Sequence, residues 1–311
     1  MIEVVFLGTS ASAPSIHRGL SAQVVLHREY RFLVDCGEGT QRQILRSGLG
    51  FKRLNRIFLT HGHLDHILGL GGLVSTFARW EAMERLEIYG GRWALQRVYD
   101  LIYGVVLRGA RPAVEIDFIE VEPGVILEDD EFEVSAFPVA HRGPSLGYLF
   151  REKARRPFLI ERAEALGVPA GPERSRLVAG ENVTLEDGRV VRPDEVLGPP
   201  ESRAALAHVG DTGETGNLRD AVQGADLLVI EATYLERDAD LADEFDHLTA
   251  AKAAKLARDA DVHHLILTHI SRRYRESDIL EEARAIMPNT TVARDLDRFR
   301  VLREEIERAV D

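Results

Sequence analysis

One cysteine, Cys36, stands in a chain of 311 residues, which excludes an intramolecular disulfide framework and any zinc site assembled from several thiolates. A reducing compartment fits that scarcity, with the cytoplasm as the default address. No apolar run reaches the ~18 residues needed to cross a bilayer. The opening MIEVVFLGTSASAP also lacks the basic start and long apolar stretch of a signal peptide. The sequence therefore reads as that of a soluble protein with no membrane partner. Positive charge is short as well: the formal net charge is -12, the opposite of what a protein needs if it gains affinity mainly by neutralising phosphates. The exception is local. Residues 151–176 carry seven Lys/Arg against four Glu, a net +3 inside a remainder of about −15.

What is present is a globular composition, 45% hydrophobic, in a chain long enough for one large two-layered domain or two ordinary ones; it is read as one domain over 1–311. IEVVFLG, AQVVLH and YRFLVDCGEG cluster apolar and β-branched residues between Gly and Ser turns and predict strands. QRQILRSGL has helical spacing, and RIFLTHGHLDHILGLGGLVSTFARW passes from a short buried strand through a loop into a helix. A strand at LEIYG, a helix over RWALQRVYDLIYGVV and strands around VEIDFIEV and EFEVSAFPVAH follow. Over 151–200 the pattern breaks into a stretch rich in Pro, Gly and charge, with weak strand signals only at NVTL and RVV, and this is read as an inserted flexible arm. Beyond it, RAALAHVGD, ADLLVIEATY and HHLILTHIS are short buried strands separated by helical stretches such as DHLTAAKAAKLARDA. MPNTTVARDL suggests a final strand with a helical tail. Helices alternating with strands in both halves predict an α/β fold with helices outside packed sheets.

The densest chemistry lies in Thr60-His61-Gly62-His63-Leu64-Asp65-His66, where three imidazoles and a carboxylate fall within six residues at the end of RIFLT. In an extended segment His61 and His63 point to the same side and can share a metal. Asp65 and His66, where the chain turns into a helix, can face a second. Imidazole nitrogen with carboxylate oxygen suits zinc at ~2.0–2.2 Å, and manganese or iron accepts a similar set. Two metals need more ligands, and the chain offers them at strand ends: His141 closes EFEVSAFPVAH, Asp211 closes RAALAHVGD and His269 closes HHLILTHI. His17, His27, His208, His263 and His264 lack that context and are read as structural or solvated. Asp35 in LVDCGEG is read as a buried carboxylate that forms a turn or supports a ligand, and Cys36 as a small buried apolar residue. Arg273 and Tyr274 in SRRY could hold a terminal phosphate and stack a base, or Tyr274 could pack in the core.

LGTSASAP, LVDCGEGTQRQ, THGHLDH, PVAHRGPSLGY, GDTG, IEATY, DHLTAAKAA and LTHISRRY follow one another along nearly the whole chain. Together they resemble ribonuclease Z, the tRNA 3′-processing endonucleases of the metallo-β-lactamase superfamily. The HxHxDH signature marks only the superfamily, whereas GEGTQRQ, the arm and HISRRY narrow the resemblance to the nuclease. It implies an αββα sandwich with an inserted exosite arm and two zinc ions per subunit. One ion would be held by His61, His63, His141 and a bridging Asp211, the other by Asp65, His66, Asp211 and His269. It also implies hydrolysis of a phosphodiester that frees the 3′ trailer of precursor tRNA and leaves a 3′-hydroxyl. Asp65 would orient or deprotonate the water, and His247, positioned by Glu231, would serve the leaving oxygen. The arm, with Arg174 and Arg176, would grip tRNA far from the cut. Homodimerisation would set one subunit's arm against tRNA bound at the other's site. The chain departs from the family pattern at Ser175, where a glycine is usual, at Ile230, where a histidine is usual, and in APSIHRG.

The electrostatics of such a site agree with that chemistry. Two zinc ions outweigh the carboxylates of Asp65 and Asp211, so an anionic phosphodiester is attracted, and zinc lowers the pKa of bound water to about 7. The alternative is a hydrolase of small phosphodiesters or sulfate esters using the same metals. A di-iron redox protein of this fold wants a glutamate at position 63, which is His. A catalytically silent nucleic-acid-binding subunit would be expected to lose ligands, and all seven are present here.

Overall fold

Alternation within single strands decides the architecture. In Ile2–Gly8, Val4 and Phe6 face one way and Val5 and Leu7 the other, and all four are buried. In Leu227–Glu231, Leu227 and Val229 oppose Leu228 and Ile230, again all buried. Strands apolar on both faces need cover on both, so each sheet must lie between the other sheet and a layer of helices. The computed structural model, which describes residues 1–80, 83–112 and 114–309, has that arrangement. Among the described residues no helix is long and apolar enough to cross a membrane.

An eight-stranded sheet runs, in spatial order, Glu305–Arg308, Arg298–Leu302, Ile2–Gly8, Ala22–His27, Tyr30–Val34, Arg56–Phe58, Arg85–Gly90 and Glu115–Glu120. A seven-stranded sheet runs Thr290–Val292, His264–Thr268, Leu227–Glu231, Ala205–His208, Gly143–Glu152, Phe132–His141 and Gly124–Glu128. Val4, Phe6, Phe32 and Phe58 of the first meet Phe132, Tyr148, Phe150 and Val229 of the second in one apolar cluster. Phe58 stacks on Phe32 at 5.2 Å and on Tyr148 at 5.1 Å between ring centres. Full burial of each large apolar side chain stabilises the fold by roughly 1.5–3 kcal/mol. On the outer faces, Val5, Leu7 and Leu33 pack with Leu70, Val74 and Phe77 of the helix Gly69–Trp80. Leu228, Ile230 and Leu265 pack with Ala253, Ala254 and Ala257 of the helix Ala250–Asp259. That helix starts at Thr249, whose hydroxyl accepts from Lys252 N at 3.1 Å.

Strand direction is what positions the site. Leu227–Glu231 runs parallel to Ala205–His208 and to His264–Thr268, and Arg56–Phe58 runs parallel to Tyr30–Val34 and to Arg85–Gly90. The carboxyl ends of each parallel set therefore gather on one edge of its sheet, where short loops can present polar side chains. Two expectations are corrected. The tail is not helical: Arg298–Leu302 and Glu305–Arg308 form an antiparallel hairpin, with Phe299 and Val301 buried and Arg300 exposed between them, the period-two pattern of a strand. RWALQRVYDLIYGVV is helical, but its α-helix ends at Tyr99 and Asp100–Leu107 continues as a π-helix.

Glu152–Arg203 forms one compact unit, and Met1–Arg151 with Ala204–Asp311 forms the other. Within the smaller unit, helices Ile160–Ala165, Pro172–Val178 and Pro193–Val196 and a hairpin of Val183–Thr184 with Val190–Val191 enclose Ala163, Leu177, Val183, Val191 and Val196. The weak strand signals at NVTL and RVV are that hairpin. The three helices went unread because none exceeds seven residues, too few turns for a helical period to show.

His208 ends its strand inside the sandwich, and its Nε2 meets Gln23 Oε1 of the facing sheet at 3.0 Å. Burial pushes its imidazole down from 6.5 to about 4, so the unfolded chain takes up the proton at a higher pH than the native state. Stability is then fully present above the unfolded pKa and declines as pH falls towards the folded one, by up to roughly 3 kcal/mol. Urea midpoints of the chelated protein, followed from about pH 7 to about pH 4.5, should fall less steeply for His208→Gln than for the wild type. Equal slopes would show that another group is responsible.

Candidate metal centre and active site

The strand Arg56–Phe58 runs on through Leu59 and Thr60, and His63, with φ −69° and ψ 151°, is still extended where it precedes the short helix Leu64–Ile67. His61 and His63 consequently share a side, with His61 Nε2 2.9 Å from His63 Nδ1. Trp93 stands edge-on to His63 at 5.5 Å, and Arg97 donates to Gly62 O at 2.9 Å, which fixes the loop from outside. From the facing sheet comes His141, its Nε2 3.2 Å from His63 Nδ1. Gly210, after the strand Ala205–His208, passes so close to Thr60 that a Cβ there would lie 2.8 Å from its side chain. That approach carries Asp211 between the histidines. Asp211 Oδ2 is 3.7 Å from His61 Nε2, 3.3 Å from His66 Nε2 and 3.4 Å from His269 Nε2. Asp65 Oδ2 is 3.4 Å from His269 Nε2 and 3.8 Å from His66 Nε2. His61, His63, His141 and Asp211 thus form one four-donor cluster and Asp65, His66, Asp211 and His269 another, with Asp211 in both.

The donor set fits a pair of cations. Four ligands around a tetrahedral ion at ~2.0–2.1 Å stand about 3.3 Å apart, and donor separations of 2.9 to 3.8 Å in these clusters bracket that figure. His66 Nε2 and Asp211 Oδ1 are buried with no hydrogen-bond partner among the described residues. Each such atom costs ~1–3 kcal/mol unless something meets it, and a cation would meet both.

Two carboxylate and threonine pairs aim the rings. Asp35, in a left-handed conformation with φ 57° at the end of Tyr30–Val34, accepts from Thr60 N at 2.8 Å, Thr60 Oγ1 at 2.7 Å and His66 Nδ1 at 2.7 Å. Thr60 Oγ1, its proton committed to Asp35, meets His61 Nδ1 at 3.0 Å. Glu231, at the end of its strand, accepts from Thr212 N at 2.8 Å, Thr233 Oγ1 at 2.6 Å and His247 Nδ1 at 2.9 Å. His141 Nδ1 meets Asp246 O at 2.8 Å. With Nδ1 occupied, each of His61, His66 and His141 turns Nε2 inward. Burial holds the imidazoles of His61, His63 and His141 below their ordinary value, in the neutral form that binds metal. Burial would raise Asp65, but the imidazoles of His269 and His66 beside it outweigh burial and hold the carboxyl low. Asp211, likewise opposed by burial, is held low by His269 and His66. Burial works against a charged His247 too, yet Glu231 beside it lifts the imidazole to about 9.

Residues 19–160 match the Metallo-beta-lactamase superfamily, and residues 196–270 match the Beta-lactamase superfamily domain. Ribonuclease Z of Bradyrhizobium sp. (strain ORS 278) is 47% identical over 302 residues, 97% of this chain and 100% of that one. The chain belongs to the ribonuclease Z family. Ribonuclease Z of Listeria monocytogenes serovar 1/2a (strain ATCC BAA-679 / EGD-e) is 41% identical over 307 residues, 96% of this chain and 99% of the relative. Among solved structures, human tRNase Z, short form, is 26% identical with a TM-score of 0.67, covering 96% of this chain and 99% of that one. The metallo-beta-lactamase fold protein YhfI from Bacillus subtilis, 16% identical with a TM-score of 0.69 over 96% of this chain and 100% of its own, shares the fold. The two-sheet α/β sandwich of this family member is the metallo-β-lactamase fold.

His247 lines a cavity of about 310 Å³ with Ser12, His63, Asp65, His141 and Asp211. Tyr274 is 8% exposed in the core, donates to Asp238 Oδ2 at 2.6 Å and carries Arg237 over its ring at 5.4 Å, which leaves little ring surface for stacking a base. It borders a different cavity of about 620 Å³ together with Arg18, Arg272 and Arg294, and Arg273 is exposed. In the smaller unit Arg174 donates to Val168 O at 3.2 Å and stands 3.7 Å from Glu164, and Arg176 pairs with Glu181 at 2.9 Å. Sequence reasoning passed over Ser12, Thr60, Thr212 and Thr233. Ser12, with φ 54°, donates its N–H to Asp65 Oδ2 at 3.0 Å. The signal available for the threonines was adjacency: Thr60 precedes His61, Thr212 follows Asp211 and Thr233 stands two residues after Glu231.

Asp35→Ala would strand His66 Nδ1 and both Thr60 donors in a buried site. The expected losses are ~3–5 kcal/mol of stability and roughly 10–100-fold in metal affinity, read from denaturant melts and from zinc competition. A folded Asp35→Ala protein that binds metal as tightly as the wild type would remove Asp35 from its orienting role.

Proposed function

We propose that this family member is a zinc-dependent endoribonuclease that removes the 3′ trailer of precursor tRNA by hydrolysing one phosphodiester, leaving a 3′-hydroxyl on the tRNA. The observation that carries the reading is the pair of four-donor clusters sharing Asp211, opening on a cavity lined by both Asp65 and His247. Identity with curated ribonucleases Z over nearly the whole chain directs that chemistry to RNA. The nitrogen and oxygen donors suit zinc, two ions per subunit. When bound, such ions bring the pKa of water to about 7 and offset charge on the phosphoryl oxygens.

The chain's own groups handle position and protons. Asp65, held ionised and tied to Ser12 N, accepts the proton of the attacking water. His247 has Nδ1 committed to Glu231, so Nε2 is the nitrogen left to protonate the departing 3′ oxygen, and Glu231 favours the charged ring that donation requires. The water oxygen bonds to phosphorus, the bond from phosphorus to the 3′ oxygen breaks, and the proton passed to Asp65 is matched by the one given up by His247. A cavity of about 310 Å³ holds the scissile phosphate and its neighbours but not a tRNA. We assign the grip on the body of the tRNA to Glu152–Arg203, with Arg174 and Arg176, and the hold on a terminal phosphate to Arg273. The enzyme is proposed to act as a homodimer in the cytoplasm, the family arrangement, which a chain with a single buried cysteine suits.

Purified protein should cut a 3′-extended precursor tRNA after the discriminator nucleotide, and a chelator or Asp65→Ala should abolish cutting. His247→Ala should lower kcat by ~10²–10⁴-fold. Deleting residues 155–195 should raise KM for precursor tRNA and leave hydrolysis of a small phosphodiester unchanged. Cutting that survives chelation contradicts the reading, and a deletion without effect on tRNA favours a hydrolase of small esters.

A further inference from the structure

A hydroxyl has one proton, and the groups around it decide where that proton goes. Thr233 Oγ1 is buried 2.6 Å from Glu231 Oε2, 2.8 Å from His269 Nδ1 and 3.2 Å from His269 O. The carboxylate oxygen and the carbonyl oxygen can only accept, so the threonine proton is spent on them, chiefly on the nearer Glu231. The only role left to the hydroxyl towards His269 Nδ1 is that of acceptor. The ring hydrogen therefore sits on Nδ1 and Nε2 is the nitrogen left for an ion, and Nε2 is the atom that stands 3.4 Å from both Asp65 Oδ2 and Asp211 Oδ2. His269 also has a left-handed backbone, φ 54°, which L side chains adopt reluctantly. The same hydroxyl touches its ring and its carbonyl, so it holds both in place.

The other histidine ligands lean on other groups. His66 leans on the Asp35 carboxylate, His61 on Thr60 and His141 on the backbone carbonyl of Asp246. We propose that Thr233 is a positioning residue that fixes His269 in the form coordinating through Nε2, so that the Asp65, His66, Asp211 and His269 site depends on this hydroxyl and the His61, His63, His141 and Asp211 site does not. The inference rests on the ligand reading above. It also makes His269, Thr233, Glu231 and His247 one hydrogen-bonded chain from ion site to proton donor.

The test is zinc competition against a chromophoric chelator on the full chain, comparing wild type with Thr233→Val, which keeps the volume without the hydroxyl, and Thr233→Ser, which keeps the hydroxyl without the methyl. The wild type should bind two ions, Thr233→Val should weaken one of them ~10–100-fold and leave the other unchanged, and Thr233→Ser should restore both. In ¹⁵N-histidine NMR of the zinc-loaded wild type, His269 should carry its hydrogen on Nδ1. The proposal is overturned if Thr233→Val binds both ions as the wild type does, if Thr233→Ser fails as Thr233→Val does, or if the His269 hydrogen is on Nε2. Should Thr233→Val not fold, Thr233→Ser and the wild-type spectrum decide between these outcomes. A wild type that binds fewer than two ions instead sinks the ligand reading, and this inference with it.

Discussion

Asp211 is the constraint on which the rest of the structure depends. One buried carboxylate oxygen stands within 3.7 Å of imidazole nitrogens from His61, His66 and His269, and the other carboxylate oxygen has no hydrogen-bond partner among the described residues. A carboxylate in that setting is tolerable only beside positive charge, because burial alone would drive it to the neutral acid. The two sheets must therefore meet at their ends closely enough for side chains of both to reach it. The contact of Gly210 with Thr60 is where they do, and any side chain at 210 would push the two halves of the centre apart.

Rigidity at this centre comes from strand ends rather than from the loops that carry the ligands. Asp35 and Glu231 each sit where a buried strand stops, and each gathers three hydrogen bonds. Their backbone is set by the sheet ladder, so the rings they hold are set as well. The aromatic packing of Phe32, Phe58 and Tyr148 between the sheets keeps the two ladders in register. The core and the metal centre are in this sense one structure: the apolar sandwich fixes the distance between carboxylates that the centre requires.

The parts legible in the sequence were those whose chemistry is concentrated or periodic. The histidine motif from His61 to His66 is dense enough to be read alone, and His141, Asp211 and His269 could be recognised because each closes a short apolar strand. Glu231 also closes a short apolar strand, but it and His247 stand apart from the histidine motif, and only resemblance to a family pointed to them. Thr233 and Ser12 were invisible for another reason. Their roles depend on a hydroxyl and an N–H meeting partners 36 and 53 positions away, which no local pattern encodes. The helices of Glu152–Arg203 were too short to show a period, and the terminal hairpin was hidden because Arg298 and Arg300 alternate with only two buried residues. Tyr274 illustrates the converse: an aromatic beside arginines suggests base stacking, yet its ring and hydroxyl are taken up by Arg237 and Asp238.

The central claim is that two ions share Asp211. Anomalous diffraction on either side of the zinc absorption edge, from crystals of the zinc-loaded protein, tests it most directly. The account predicts two peaks about 3.5–4 Å apart, each within ~2.0–2.2 Å of an Asp211 carboxylate oxygen. A single peak, or a second ion out of reach of Asp211, would contradict it.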